Sequence, residues 1–339
     1  MVGRVLTASL HYFGVALFYL GAGPLIRRLG RKNPKILLYH DCADHESGYT
    51  AELECTTGAE RFREHMAYLN RHYRFVDVET IASRGAPERS VAVTFDDGYS
   101  SVYQNAFPTL KAYGIPATIY LISSVIGNRT LVWVNELNAL LREGGRAAAE
   151  CARRHFGPRC PVEPAEIISF CRINYEPDKM DRLLAELRVL LDRPVQDHAA
   201  QARLYLTWDQ IHEMRRAGIS FGNHSRSHPN MARLSEDQQV EEITAAQREL
   251  QEQLPEVKAF AHPFGHMGRT TARLAAEANL GSVVEVGGTN RPVLPLALGR
   301  THLSNESIAG LFARMEIVEP LKGLVRRRAA TLRRGSAAV

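Results

Sequence analysis

The 339-residue chain predicts an α/β protein, a distorted (β/α) barrel carrying a helical insertion. Three observations lead there. Short apolar, β-branched runs alternate with segments of helical periodicity, the pattern of parallel strands joined by helices. The alternation stops at about residue 133, gives way to charged helical sequence up to about residue 201, and then resumes. Each chemically suggestive cluster follows a predicted strand, which is where parallel α/β folds assemble their sites.

The elements follow in order. Residues 5–26 form a stretch of 22 without Asp, Glu, Lys or Arg, and Arg27, Arg28, Arg31 and Lys32 come directly after it. That length could just cross a bilayer, although His11, three glycines and Pro24 oppose a regular span. An interfacial helix with basic flanks fits as well. We therefore set residues 1–34 apart as a hydrophobic, membrane-associating segment. The charge difference across it points to the cytoplasmic side for the body, the periplasmic or other extracytoplasmic side being the alternative.

Residues 35–319 make the barrel. Strands are expected at 35–39, 74–78, 91–95, 117–122, 219–222, 257–261, 282–286 and 298–303. Helices are expected at 60–73, 99–113, 207–217, 235–253 and 270–279, with Gly114 and Gly218 closing two of them. Residues 320–339 form a basic tail with little apolar pattern to fold it.

Charge distribution narrows the function classes. Residues 1–34 and 320–339 carry eleven basic side chains and no acid, so a net charge of +5 leaves the body at about −6. A nucleic-acid binder would place its basic residues along a folded face, and no nucleic-acid partner is expected. Basic ends on an acidic body suit an anionic membrane surface. Five cysteines (Cys42, Cys55, Cys151, Cys160, Cys171) match no zinc spacing and read as free thiols.

The chemistry concentrates in two places. The run Val91-Ala92-Val93-Thr94-Phe95 ends in Asp96-Asp97-Gly98-Tyr99. Adjacent carboxylates repel unless a positive group lies close, and a metal ion provides one. Further on, His224-Ser225-Arg226-Ser227-His228 sets two imidazoles four apart after a strand, and Pro229 biases His228 towards a turn. With a carboxylate from the first turn, they complete a two-His, one-carboxylate set suited to zinc or another divalent ion.

These residues are similar to the first two motifs of the polysaccharide deacetylases, the NodB-homology group of carbohydrate esterases (family 4). The resemblance continues through Tyr39-His40, Trp208, Phe221-Gly222, the run from Phe260 to Gly265, and Gly299-Arg300. It implies a distorted (β/α) barrel of the NodB-homology type. One divalent metal, with zinc the first expectation, would be held by Asp97, His224 and His228. Asp96 would be the general base taking a proton from the attacking water. Pro263, Phe264 and Gly265 would line the sugar groove, with the Phe264 N–H helping to hold the oxyanion, and His40, Tyr99 and His262 would face substrate. Two departures from the family pattern stand out. Ala261 occupies the position where the family often carries an arginine, leaving Arg300 as the nearest group to orient Asp96. The family's later leucine-histidine motif has no clear counterpart, so His302 is the candidate general acid, with His40 as second choice.

The expected activity is metal-dependent removal of N-acetyl groups from N-acetylhexosamine units of a polysaccharide or of a glycolipid or other lipid-linked saccharide. O-Deacetylation of a glycan and a catalytically weak, membrane-associated carbohydrate-binding protein are the alternatives. No glycine-rich loop follows a strand in the context that phosphate binding requires.

Overall fold

The computed structural model describes residues 2–265, 273–274, 277–278, 280–287, 290 and 293–323. Eight strands run parallel: β1 (Lys35–Tyr39), β2 (Arg74–Phe75), β3 (Ser90–Phe95), β4 (Ala117–Leu121), β5 (Ser220–Asn223), β6 (Ala259–Ala261), β7 (Ser282–Val286) and β8 (Leu298–His302). Seven of them close a barrel, because β1 pairs with β8 on one side and with β3 on the other. The register sets Tyr39 beside Phe95 and Leu38 beside His302, so the ends of β1, β3 and β8 open at one mouth. β2 pairs only with the start of β3 and takes no place in the ring. Solved deacetylase barrels share this architecture, as detailed below.

Burial explains why these runs become strands. Every residue of β1, β3 and β4 is buried, as expected where a parallel sheet is covered on both faces. Alternate side chains divide the core. Ile36, Ala92, Tyr120, Ala261, Val284 and Leu298 fill the interior. Leu37, Tyr39, Val93 and Phe95 face the surrounding helices and meet Phe62, Met66 and Leu69 of the helix Ala59–His72. Gly222 is required where it stands, since a Cβ there would lie 2.4 Å from the Tyr120 ring. Val78, Ile81 and Ala82 of the short helix Val78–Ala82 join the interior cluster at the strand-start end.

Several elements depart from expectation. The strand predicted at 74–78 stops after Phe75, because Asp77 accepts the Thr80 N–H and starts the helix Val78–Ala82 instead. The helix predicted at 99–113 is divided into a widened turn at Val102–Ala106 and a regular helix, Phe107–Tyr113, that Gly114 closes at φ +60°. Strand β6 spans only the last three of the five residues predicted. The helix predicted at 270–279 lies largely outside the described residues. So does most of the basic tail, although residues 320–323 continue in helix.

Between β4 and β5 stand the helices Trp133–Phe156 (broken at Gly145), Pro164–Ile173, Pro177–Leu190 and Val195–Ala202. The first three share one continuous core with the barrel wall through Leu137, Leu141, Ile167 and Leu183. The N-terminal apolar stretch forms two helices, Val2–Tyr19 and Gly23–Leu29. Among the described residues no single helix is long and apolar enough to cross a membrane; this pair, bent by 118°, passes the same test only jointly. The first helix packs on Ile308–Ala313, where a Cβ on Gly14 would clash with Ala313.

Candidate active site

The strand ends deliver the predicted residues to one place. His224 follows β5, and its Nδ1 lies 2.8 Å from the Ala261 carbonyl at the end of β6. A carbonyl only accepts, so Nδ1 carries the proton and the Nε2 lone pair faces inward. That Nε2 is 3.4 Å from Asp97 Oδ1 and 3.6 Å from Asp96 Oδ2. His228 Nε2 lies 3.5 Å from the same Asp97 oxygen. Donor atoms of Asp97, His224 and His228 all fall within 4.8 Å of one another.

The residues fit a divalent ion on this structure's own terms. Asp97 Oδ1 is buried, has no hydrogen-bond partner, and faces both imidazole nitrogens. Two nitrogens and one oxygen with room for further ligands suit zinc.

Asp96 is placed differently. The Arg300 guanidinium grips it with two bonds, Nη1 to Oδ1 at 2.6 Å and Nη2 to Oδ2 at 2.7 Å. Arg300 is 1 % exposed and Asp96 2 %. The arginine rises through the barrel interior, with Nη1 also 3.3 Å from Thr94 Oγ1 and its guanidinium 5.4 Å from the Tyr120 ring centre. Gly222, by making room for Tyr120, therefore also shapes the bed of Arg300.

Electrostatics follow from this arrangement. Burial alone would raise the Asp96 pKa, but Arg300 and His224 outweigh it and hold the carboxyl below its usual range. Asp97 is likewise held low, burial being overcome by His228 and His224. Burial opposes protonation of His224, yet the two aspartates raise it, whereas His228 is pushed down to about 4 by burial. His40 and His302 face each other edge-to-face with ring centres 5.2 Å apart. Burial lowers both; with His40 and Arg314 close by, His302 falls to about 3.

The loops are strained where they carry these groups. Asp97 (φ +69°), Ser225 (φ +67°), His228 (φ +60°) and Phe264 (φ +57°) all adopt left-handed backbone without being glycine. Each such residue costs about 1 kcal/mol or more and persists only when its surroundings dictate it. Local bonds do so here: Asn223 Oδ1 accepts the Ser225 N–H and Ser225 Oγ accepts the His228 N–H. Gly265 (φ +66°) has Val286 2.4 Å from where a Cβ would stand.

Not every expected substrate-facing residue reaches the mouth. His262 is fully buried, with its ring 5.1 Å from that of Phe260. Tyr99 is 2 % exposed, its ring stacked on Tyr205 and its hydroxyl bonded to Asn135 of the insertion. Both are thus placed in packed surroundings, not on an open groove. Pro263 is buried, while His40, Phe264 and Gly265 are half-buried at the rim.

The insertion supplies residues that sequence reasoning did not single out. Trp133 Nε1 donates to the His228 carbonyl at 2.9 Å, and its ring lies 5.9 Å from that of Phe264. Tyr175 packs on Trp133, and the Arg172 guanidinium lies 5.6 Å from the Phe264 ring centre. Phe264 in turn sits 4.5 Å from the His228 ring. One wall of the site is therefore built from the insertion. The lone tryptophan opening a helical segment was the signal available.

Comparison with known proteins agrees with this geometry. The profile of the polysaccharide deacetylase family matches residues 83–283. The chain is 30% identical to YxkH of Bacillus subtilis over 115 residues, 32% of this chain and 39% of that protein. It is 48% identical over 52 residues to the poly-beta-1,6-N-acetyl-D-glucosamine N-deacetylase of Staphylococcus epidermidis, covering 15% of this chain and 18% of that one. These matches thus span about two fifths or less of the relatives' lengths. The barrel superposes on the Streptococcus pyogenes deacetylase PplD in complex with acetate with a TM-score of 0.56 at 21% identity, covering 84% of this chain and 98% of that chain. This chain belongs to the polysaccharide deacetylase family.

Proposed function

We propose that the chain is a metal-dependent deacetylase that hydrolyses N-acetyl groups on N-acetylhexosamine units of a polysaccharide. The observation that carries the reading is the convergence of Asp97, His224 and His228 donor atoms within 4.8 Å, beside an Asp96 carboxylate locked by Arg300. The staphylococcal relative, named for a poly-N-acetylglucosamine, supports an amide of an amino sugar as the bond attacked.

Asp97, His224 and His228 would hold the ion, for which zinc is the best match. When bound, such an ion supplies Lewis-acid polarisation of an acyl oxygen and lowers the pKa of water from about 15.7 towards roughly 7. Asp96 is the base. Its charge is kept available by Arg300, and both its oxygens are fixed, so it does not swing in to become a ligand. It takes a proton from the attacking water as the new C–O bond forms. The Phe264 N–H, on a turn that Gly265 alone permits, is the donor assigned to the oxyanion. Collapse breaks the C–N bond and requires a proton on the leaving amine. His302, held neutral in the free protein, has none to spare at neutral pH, so it must relay the one Asp96 has taken, with His40 beside it. Products are acetate and the free amino sugar. Phe264, Trp133 and Tyr175 pack over His228 and keep bulk water from that side.

Acetate release from N-acetylglucosamine oligomers by metal-stripped and zinc-reloaded protein tests the reading. Turnover restored by zinc supports it, and tight zinc binding without acetate overturns it.

A further inference from the structure

Basic residues of the folded body gather far from the site. A cleft of about 610 Å³ is lined by Arg28, Arg31, Arg71, Arg74 and Arg89, with Glu88 the one acid on its wall. Glu88 is already paired with Arg31 at 3.1 Å. Among the described residues none of Arg28, Arg71, Arg74 and Arg89 has a carboxylate within ion-pair reach, although several like charges share one hollow. Such a cluster is held against its own repulsion and is complementary to an anion.

Chain topology fixes where this cleft is. Arg31 precedes β1, Arg74 opens β2 and Arg89 immediately precedes β3. All strands are parallel, so the cleft marks the strand-start end, whereas Asp96, Asp97 and His224 follow strand ends. Seven residues separate Arg89 from Asp96 along β3, roughly 23 Å at about 3.3 Å per residue.

An apolar edge adjoins the arginines. A second groove, sharing Arg28 and Arg31 with the first, is lined by Leu25, Leu29 and Lys32. Leu25 is 62% exposed, Leu29 75% and, at the bend before them, Leu20 80%. Bare leucines beside unpaired arginines suit the headgroup boundary of a bilayer, where the apolar side chains enter and guanidinium groups meet phosphate. No stacking array of the kind single-stranded nucleic acid uses lines either hollow.

We propose that this face docks on an anionic lipid surface. Headgroup phosphates occupy the arginine cleft, and Leu20, Leu25 and Leu29 sink into the interface. The barrel then stands on its strand-start end, with the candidate site on the far side, about 20 Å or more from the headgroups. At that height the site meets polymer projecting from or passing the membrane, not the first sugar on a lipid. This consequence rests on the deacetylase reading; the docking does not.

The test is sedimentation of the full chain with vesicles of phosphatidylcholine alone or mixed with phosphatidylglycerol. Binding is expected only to the anionic vesicles, and replacing Arg71, Arg74 and Arg89 together by Ser should weaken it about 100-fold, at about 5-fold per arginine. These three side chains are exposed, so the variant should melt as wild type does. Equal binding to neutral vesicles overturns the proposal. So does an unweakened triple variant, or tighter capture by a DNA duplex than by vesicles. Orientation is read with brominated lipid: Leu25→Trp should be quenched while Trp133 and Trp208, on the strand-end side, are not. Quenching of the native tryptophans refutes the orientation. Sedimentation needs no turnover, so absence of acetate release by wild-type protein would count against the deacetylase reading and leave docking standing.

Discussion

Replacing Arg300 by Met removes the guanidinium that holds Asp96 and leaves a side chain of similar reach. Both partners are buried, with 1 % and 2 % exposure, and the pair is joined by bonds of 2.6 and 2.7 Å. Breaking a buried ion pair from one side costs about 3–5 kcal/mol, because the remaining charge has no partner and no water. A fold stable by about 5–15 kcal/mol feels that strongly. At about 2 °C per kcal/mol for a chain of this size, melting should fall by roughly 6–10 °C. The Asp96 pKa should also rise, since burial now acts with less opposition. The base is then less ionised at neutral pH and free to rotate, and acetate release should drop by about 10²-fold or more. Thermal unfolding and an acetate assay measure the two effects separately. Asp96→Asn combined with Arg300→Met removes both charges and should recover part of the stability, though none of the turnover. If the single Arg300→Met variant melts within about 1 °C of wild type, Asp96 and Arg300 do not form the locked pair on which the mechanism depends.

Other predictions follow from the same geometry. Asp96→Asn should retain the metal while losing most turnover, whereas His224→Ala should lose both; equal metal loss, measured by elemental analysis, would abolish the assigned split between base and ligand. His302→Ala should lower kcat by about 10²–10⁴-fold with metal content unchanged, and wild-type rates would remove it from proton transfer. Gly265→Ala places a methyl 2.4 Å from Val286 at φ +66°, so it should cost about 1–3 kcal/mol and turnover as the Phe264 turn shifts; normal melting and activity would show that the turn is not fixed as described. Burial lowers the pKa of His65, which is bonded to Tyr39 and the Glu306 carbonyl. Below about 6.5 the unfolded chain takes up a proton that the folded state resists, so stability should fall as pH drops from neutral towards 5. A melting temperature that rises on acidification would contradict this, and His65→Gln should flatten the slope.

The sequence exposed the barrel because its strands are short, β-branched and buried on both faces, and because the chemistry follows their ends. Asp97, His224 and His228 could be grouped from two local motifs, and Arg300 reached Asp96 as the nearest arginine left to do so. Local pattern was insufficient elsewhere. The alternating run at 74–78 looks like a strand, but the cap from Asp77 wins after two residues. His262 and Tyr99 sit beside motif residues, yet whether such rings face a groove or a core is decided by distant neighbours, Phe260 and β7 for one and Asn135 and Tyr205 for the other. Trp133 meets the His228 carbonyl across 95 residues of chain, a contact that no periodicity encodes.

The most direct test of the central claim is zinc-dependent acetate release from poly-β-1,6-N-acetylglucosamine oligomers, with wild-type and His228→Ala protein assayed side by side. Turnover that disappears on metal removal, returns with zinc, and is absent in His228→Ala is the predicted result. Acetate release that survives metal removal, or an unimpaired His228→Ala enzyme, would contradict the assignment of Asp97, His224 and His228 as the metal centre.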